Sequence, residues 1–319
     1  MPLVSVIIPN YNHARFLERR IESVLGQTFT DMEVILLDDC SSDGSAAILE
    51  KYRNHPKVSQ VRINAVNSGS TFKQWQTGFS LARGTYLWIA ESDDWAAESF
   101  LERAVGLLNA HAHVGLVFCQ SRIVDDQNVA LAVNLARYRE PWTKDLLLDG
   151  RDALKKYMLK GNVIPNASAV LFRRSLAEGD PAELQSFRYA GDWYFWARLL
   201  LRADLAFVNE ELNFFRVHGQ NVSNKAEEAG LGFIEGFRIV KAMFSRIPGL
   251  TPAEKKEISN YWAKRLAGIQ THSPRRFTAP VLLAILKHSL GVSVVFPATF
   301  AAYYSWMATR QWLGKSKVK

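Results

Sequence analysis

Five short runs in the first 120 residues restrict the fold more than any other feature of the chain. Leu3–Ile8, Val34–Leu37, Val58–Ile63, Tyr86–Ala90 and Gly115–Phe118 read as strands, and several are apolar at nearly every position. A strand wetted on one face alternates apolar and polar residues. One that does not alternate is covered on both faces, as in a mainly parallel sheet with helices on either side. The intervening segments supply those helices. Leu17, Ile21, Val24 and Leu25 share one helical face, as do Leu101, Ala104, Val105 and Leu108. Asp43-Gly44-Ser45 ahead of Ala46-Ala47-Ile48-Leu49 reads as a helix start. Such alternation of strands and helices implies a layered α/β domain.

The rest of the chain reads in coarser blocks. Asp125–Gly150 is a variable loop, followed by a helix at Asp152–Lys160, a strand at Ala169–Phe172 and a helix from Trp193 to Leu201. Leu205–Val208 and Leu212–Val217 read as two short strands, and the polar stretch Gly219–Gly232 as a linker. Beyond it the pattern is helical, with Phe233, Phe237, Val240 and Phe244 on one face, then Ile258, Tyr261, Trp262, Leu266 and Ile269 on another. The 319 residues make one large domain or two modest ones. Two cysteines, Cys40 and Cys119, supply neither a disulfide framework nor a four-cysteine zinc site, which suggests a reducing compartment. The first residues lack a basic region followed by an apolar one, so no secretory signal is expected, and the sequons at Asn166 and Asn221 read as coincidental.

Ligands of an open α/β sheet bind beyond the carboxyl ends of its strands. Here the first strand runs into Pro9-Asn10-Tyr11-Asn12, the second into Asp38-Asp39-Cys40-Ser41-Ser42-Asp43-Gly44, and the fourth into Glu91-Ser92-Asp93-Asp94-Trp95. Acids can cap the helices that follow, but two acidic clusters on one rim suggest a site. No G-x-x-x-x-G-K-[ST] loop and no G-x-G-x-x-G turn is present, which argues against a P-loop NTPase and a dinucleotide oxidoreductase. Carboxylates repel phosphates unless a divalent cation lies between them. The rim therefore reads as a diphosphate site bridged by Mg²⁺ or Mn²⁺, the hard cations that carboxylate oxygens prefer.

These motifs resemble glycosyltransferase family 2, the inverting nucleotide-sugar transferases, and within it the bacterial polysaccharide and O-antigen type. The resemblance rests on Val4–Asn12, Asp38–Ser45, Asn67-Ser68-Gly69, Ala82-Arg83-Gly84-Thr85-Tyr86, and Glu91-Ser92-Asp93-Asp94. Gly191-Asp192-Trp193, Arg198-Leu199 and Arg216-Val217-His218-Gly219-Gln220-Asn221-Val222-Ser223 extend it to residues 3–224. The family implies a GT-A fold, a Rossmann-like mixed sheet flanked by helices, here with a C-terminal helical extension. It implies a catalytic domain over 1–229, with a nucleotide half to about 120 and an acceptor half after it, while the helical, basic pattern makes 230–319 an extension.

The resemblance also implies roles. Pro9, Tyr11 and Asp39 would surround the base and ribose, Asp93 would meet the ribose and metal, Asp94 would bind the metal directly, and His218 would lie near metal and diphosphate. Asp192 would be the catalytic base, although its position also suits an N-cap for the following helix. Three departures from the family pattern stand out. Phe72-Lys73-Gln74-Trp75 replaces a common Ala-Arg-Asn, leaving Lys73 as the phosphate-side cation. Glu91 replaces a common Asp, and Gly191 a common Glu. The donor would be a UDP- or dTDP-type sugar and the acceptor a saccharide or lipid-linked saccharide. A nucleotide-sugar- or carbohydrate-binding protein without activity is the alternative on the same fold, disfavoured by the retention of both Asp94 and Asp192.

The net charge of +8 is unevenly spread, because residues 230–319 carry 14 Lys and Arg against 3 Asp and Glu. Such a tail suggests an anionic partner. Its aromatic and aliphatic content, with no nucleic-acid motif, points to an anionic membrane surface on the cytoplasmic side rather than to nucleic acid. Ser289–Thr309 is free of formal charge and long enough to span a bilayer, yet Pro297 should break it. Helices lying in the interface are therefore expected rather than a span, with packed core helices as the alternative.

Overall fold

The computed structural model describes residues 1–131, 141–164, 166–218, 229–272 and 277–316, and from 310 onward the backbone alone. The chain divides into two compact units, Met1–Ala153 with Val163–Gln220, and Leu154–Asn162 with Asn221–Lys319.

The first unit is built on a mixed sheet. Its elements in chain order are β1 (Val4–Asn10), α1 (Ala14–Leu25), β2 (Met32–Asp38), α2 (Ser45–Lys51), β3 (Val58–Ile63), α3 (Thr71–Leu81), β4 (Tyr86–Ile89), β5 (Trp95–Ala96), α4 (Phe100–Ala110) and β6 (Val114–Val124). After these come β7 (Leu146–Leu148), α5 (Gly150–Lys156), β8 (Val170–Arg173), α6 (Pro181–Gln185), α7 (Gly191–Leu200) and β9 (Asp204–Arg216). The sheet order is β3-β2-β1-β4-β8-β6-β9-β5, with β7 on β9. β1 to β4 are parallel, whereas β8 runs antiparallel to both β4 and β6.

Burial follows the apolar runs. Every residue of β1, β2 and β4 is buried, as strands covered on both faces require, while the edge strand β3 is only partly covered. Leu17, Ile21 and Val24 of α1 and Leu101, Ala104, Val105 and Leu108 of α4 join one core with the sheet. Burying a Leu, Ile or Val side chain stabilises the fold by roughly 1.5–3 kcal/mol, and truncating one to Ala here should cost about 2–5 kcal/mol. The Ala82–Tyr86 motif serves the strand starts, away from the rim. Arg83 pairs with Glu33 at 2.6 Å, and a Cβ on Gly84 would lie 2.5 Å from the Ser5 nitrogen.

Three segments differ from their sequence reading. The two strands expected at Leu205–Val208 and Leu212–Val217 are one, β9, whose register against β6 slips between Cys119 and Ser121. Asn209 and Glu210 bulge there, and the bulge interrupts the apolar pattern. The helix expected at Asp152–Lys160 ends at Lys156 and resumes as a 3₁₀ turn at Met158–Lys160. Strand β7 lies inside the stretch read as loop.

The second unit contains α8 (Leu231–Arg246), α9 (Pro252–His272), α10 (Ala279–Ser289) and α11 (Phe296–Ser316), together with residues 154–162. Of the expected linker, 219–228 lie outside the described residues, and α8 already begins at Leu231. Its core is aromatic. Trp262 packs on Phe233 and Phe237, Phe237 on Phe296, and Trp262 Nε1 donates to the Leu159 carbonyl at 2.8 Å. Lys160 and Lys155 pair with Glu257 and Glu254 of α9. Ile258, Trp262 and Leu266 are buried as their spacing predicts, whereas Tyr261 is exposed. Of the charge-free run Ser289 closes α10, 290–295 join the two helices and the remainder lies in α11, with Pro297 in its first turn, where the missing N–H costs nothing. Among the described residues no helix is long and apolar enough to cross a membrane.

Candidate active site

Because β1, β2 and β4 are parallel, their carboxyl ends share one edge of the first unit, and the polar loops meet there. At the end of β1, Asn10 donates to Asp38 at 2.7 Å, and Asp38 also accepts from the backbone and hydroxyl of Ser41. Asn12 and Cys40 adopt left-handed backbone with φ of 56° and 63°. Such turns are costly for non-glycine residues, and Asn12 offsets that cost by accepting from the Ser42 N–H at 2.8 Å. Pro9 is buried within β1, while Tyr11 stands at the rim, half exposed.

Asp39 is buried and its carboxylate is fully engaged. Asn64, the Ser68 N–H and Gln74 donate to Oδ1 at 2.9, 2.9 and 2.7 Å, and the Ser68 hydroxyl donates to Oδ2 at 2.7 Å. Asp39 thereby pins the 64–70 loop to the rim. Lys73, on exposed helix surface, donates to the Ser68 carbonyl at 3.0 Å, so Asp39 and Lys73 converge on one residue.

The cluster after β4 is organised differently. Glu91 accepts from Trp75 Nε1 at 2.9 Å, and burial reinforced by Asp93 pushes its carboxyl up to about 8. Asp93 faces the rim and meets His218 Nε2 at 3.1 Å. Burial opposes its ionisation, but the His218 hydrogen bond and the positive potential of His13 hold it below the usual carboxylate range. His13, on the turn before α1, pairs through Nδ1 with Ser92 Oγ at 2.9 Å. Burial, partly offset by Asp93, lowers its own pKa. One ligand atom each from His13, Asp93 and His218 lies within 4.8 Å of the other two. Among the described residues this is the group able to hold a metal ion. Two imidazoles and an ionised carboxylate form a donor set that suits a divalent cation.

Asp94, read from sequence as the direct metal ligand, stands outside this group. It is 1% exposed, and its oxygens accept from the Arg216 N–H at 2.9 Å and from Asn166. Arg20, itself wholly buried, lies 4.0 Å away. Burial, then the neighbouring Asp93, pushes Asp94 up to about 7 despite Arg20. Asn166 continues to Asn213 at 3.0 Å and Asn213 to Ser121 at 2.9 Å. Arg216 Nε donates to the Asp93 carbonyl at 2.7 Å, and its guanidinium lies over Phe16 and Trp95. This buried polar chain fastens the end of β9 to the acidic loop, and so presents His218 to Asp93. Nothing local marks Asn166, Asn213, Arg20 or His13, whose partners lie tens of residues away. Because Asn166 is buried and bonded to Asp94, its sequon is closed to glycosylation in the folded chain.

Asp192 is half-buried in the first turn of α7. The helix starts two residues earlier than read, and its N-cap position is Ala190 with no side-chain cap bond, so Asp192 does not serve as the cap. The unusual residues nearby compensate one another. A Cβ on Gly191 would lie 2.4 Å from the Phe72 ring, so an aromatic at 72 excludes any side chain at 191. One turn along α3, Trp75 packs on Phe72 and bonds Glu91.

Comparison with known proteins agrees with this architecture. The model of the family described as Glycosyl transferase family 2 matches residues 5–178, more than half of the chain. An uncharacterized glycosyltransferase of Haemophilus influenzae is 26% identical over 223 residues, covering 70% of this chain and 68% of that protein. Poly(ribitol-phosphate) beta-N-acetylglucosaminyltransferase TarS of Staphylococcus aureus is 28% identical over 313 residues, covering 81% of this chain but 54% of TarS. The chain thus spans about half the length of that relative. The crystal structure of TarS 1–349 in complex with UDP-GlcNAc superposes with a TM-score of 0.72 at 17% identity, over 98% of this chain and 92% of that one. A mannosyltransferase from Pyrobaculum calidifontis, in complex with GDP-Man and Mn²⁺, gives 0.51 at 18% identity. These likenesses identify the GT-A fold.

Proposed function

The chain belongs to glycosyltransferase family 2, and on that premise we propose that it transfers a sugar from a UDP- or dTDP-type donor to a saccharide or lipid-linked saccharide, inverting the anomeric centre. The observation that carries the donor half is the convergence of Asp93 and His218 at the rim of parallel strands. In this reading Asp93 and His218 hold Mg²⁺ or Mn²⁺, and Asp94 serves behind them by anchoring the Arg216 backbone. A cation so held neutralises charge on the departing diphosphate. Asp39 supports the nucleotide-facing loop, Tyr11 and Pro9 border the base, and Lys73 offers a cation beside it. Asp192 accepts the acceptor hydroxyl's proton as the new bond forms, so no covalent intermediate on the protein is required.

Calorimetry of UDP and dTDP with and without Mn²⁺ tests this reading on the wild type and on Asp93→Asn. Cation-dependent binding should be present in the first and lost in the second. Equal affinity under all conditions would contradict it.

The second unit supports a place at a membrane surface. Leu283, Leu290, Val294, Val295 and Trp306 are 49–81% exposed, in a unit with a large excess of Lys and Arg. We propose that this patch docks on anionic lipid at the cytoplasmic face, where lipid-linked acceptors would be presented. Basic residues near such a surface contribute about 1 kcal/mol each, and apolar insertion adds a part that salt does not screen. The full chain should float with anionic liposomes and be weakened but not released by high salt. Failure to float would exclude the docking.

A further inference from the structure

We propose that His13 is a third protein ligand of the cation, and that the resulting two-imidazole, one-carboxylate set favours Mn²⁺ over Mg²⁺. The inference rests on the metal-bridged diphosphate reading and goes beyond it, because it assigns a residue and a metal preference. The geometry supports it on three counts. A ligand atom of His13 lies within 4.8 Å of those of Asp93 and His218, a spacing that one ion can bridge. The two imidazole rings stand 5.6 Å apart at 85°, close enough for one ion to serve both. His13 Nδ1 is engaged by Ser92 Oγ at 2.9 Å, which fixes the ring and leaves Nε2 for the cation, as an outer-shell partner does for a metal-bound histidine.

The backbone beneath the ring is equally constrained. The His13 carbonyl accepts from the Phe16 and Leu17 N–H groups at 2.9 and 3.0 Å, and the next N–H donates to Asp43 at 2.8 Å. His13 is thus presented from a closed turn.

Selectivity follows from ligand chemistry. Mg²⁺ dehydrates reluctantly and is typically held by one or two carboxylates with phosphate and water. Nitrogen donors add little for it, whereas Mn²⁺, though it also favours oxygen ligands and gains less than later first-row ions, accepts imidazole more readily than Mg²⁺ does. Each histidine therefore shifts the balance away from Mg²⁺.

Pulsed electron paramagnetic resonance on the full chain with Mn²⁺, and with UDP or dTDP added, counts coordinated nitrogens directly. The wild type should show two imidazole couplings, His13→Asn and His218→Asn one each. His13→Asn should also narrow the ratio of Mg²⁺ to Mn²⁺ dissociation constants by about tenfold or more, the scale of disturbing a metal-bound histidine. A single coupling, lost in His218→Asn and unchanged in His13→Asn, overturns the role of His13 while the metal reading stands. No bound Mn²⁺ with either nucleotide overturns both. Because the wild-type nitrogen count decides the matter alone, a variant that misfolds does not blunt the test.

Discussion

Two acidic clusters on the same rim, alike in sequence, are used in opposite ways. Asp38 and Asp39 are surrounded by donors, and Asp39 alone accepts four hydrogen bonds. Glu91, Asp93 and Asp94 crowd one another, and burial with mutual repulsion pushes Glu91 and Asp94 up to about 8 and 7. The difference teaches where to look for a ligand. A carboxylate already satisfied by donors from a neighbouring loop and helix holds them in place, whereas one left ionised beside two histidines has charge to offer.

The largest expected effect comes from the acid in neither cluster. Asp192→Asn should lower turnover by about 10²–10⁴ while nucleotide binding persists, since the base proposed at Asp192 would act on the acceptor. Single-turnover kinetics beside calorimetry would measure both, and wild-type turnover would move the base elsewhere.

The comparison itself breaks if exchanged substitutions act alike. Asp39→Ala leaves Asn64, Ser68 and Gln74 without their acceptor and should cost about 3 kcal/mol, since hydrogen bonds to charged groups contribute roughly 1.5–3 kcal/mol each and partly recover through water. Asp93→Asn weakens the pairing with His218 but relieves the repulsion on Glu91 and Asp94, so it should shift the melting temperature less than Asp39→Ala does, yet remove cation-dependent binding. Thermal melts with and without Mn²⁺ would separate the two.

Gly191→Ala sharpens the contrast near Asp192. Its Cβ meets the Phe72 ring, and overpacking of this kind costs about 1–3 kcal/mol. A second substitution, Phe72→Leu, should recover part of that loss. A double-mutant cycle by denaturant unfolding would read the coupling, and strict additivity would refute it.

The most gradual effect is a slope, spread over several pH units. Glu91 and Asp94 have folded pKa values raised from 4.5 and 3.8, so the folded state binds their protons more tightly than the unfolded chain does. Their contribution is full below about pH 4 and is lost as pH rises through about 7 and 8. Cation-free protein should therefore lose stability across that window. Asp93→Asn, which removes a neighbouring charge, should flatten the decline. A flat profile in the wild type would mean the crowding is relieved in solution.

Much of this molecule was determined by the sequence alone. Apolar runs without alternation dictate doubly covered strands, and parallel strands bring their polar ends to one edge, because covalent order fixes which end follows which helix. The rim and its acids were legible for that reason, as were the C-terminal helices, although the break expected at Pro297 falls before it, at 290–295. Tertiary structure decided which acid does what. Asp93 and Asp94 are neighbours with the same side chain, and only the arrival of β9, 122 residues on, turns one toward His218 and buries the other against the Arg216 N–H. His13 joins them by packing across 79 positions to Ser92. The Phe72–Gly191 exchange of volume and the recruitment of 154–162 to the C-terminal unit are decided the same way. Backbone pattern is local chemistry, written residue by residue, but electrostatic role depends on burial and on partners that meet only once the chain has folded.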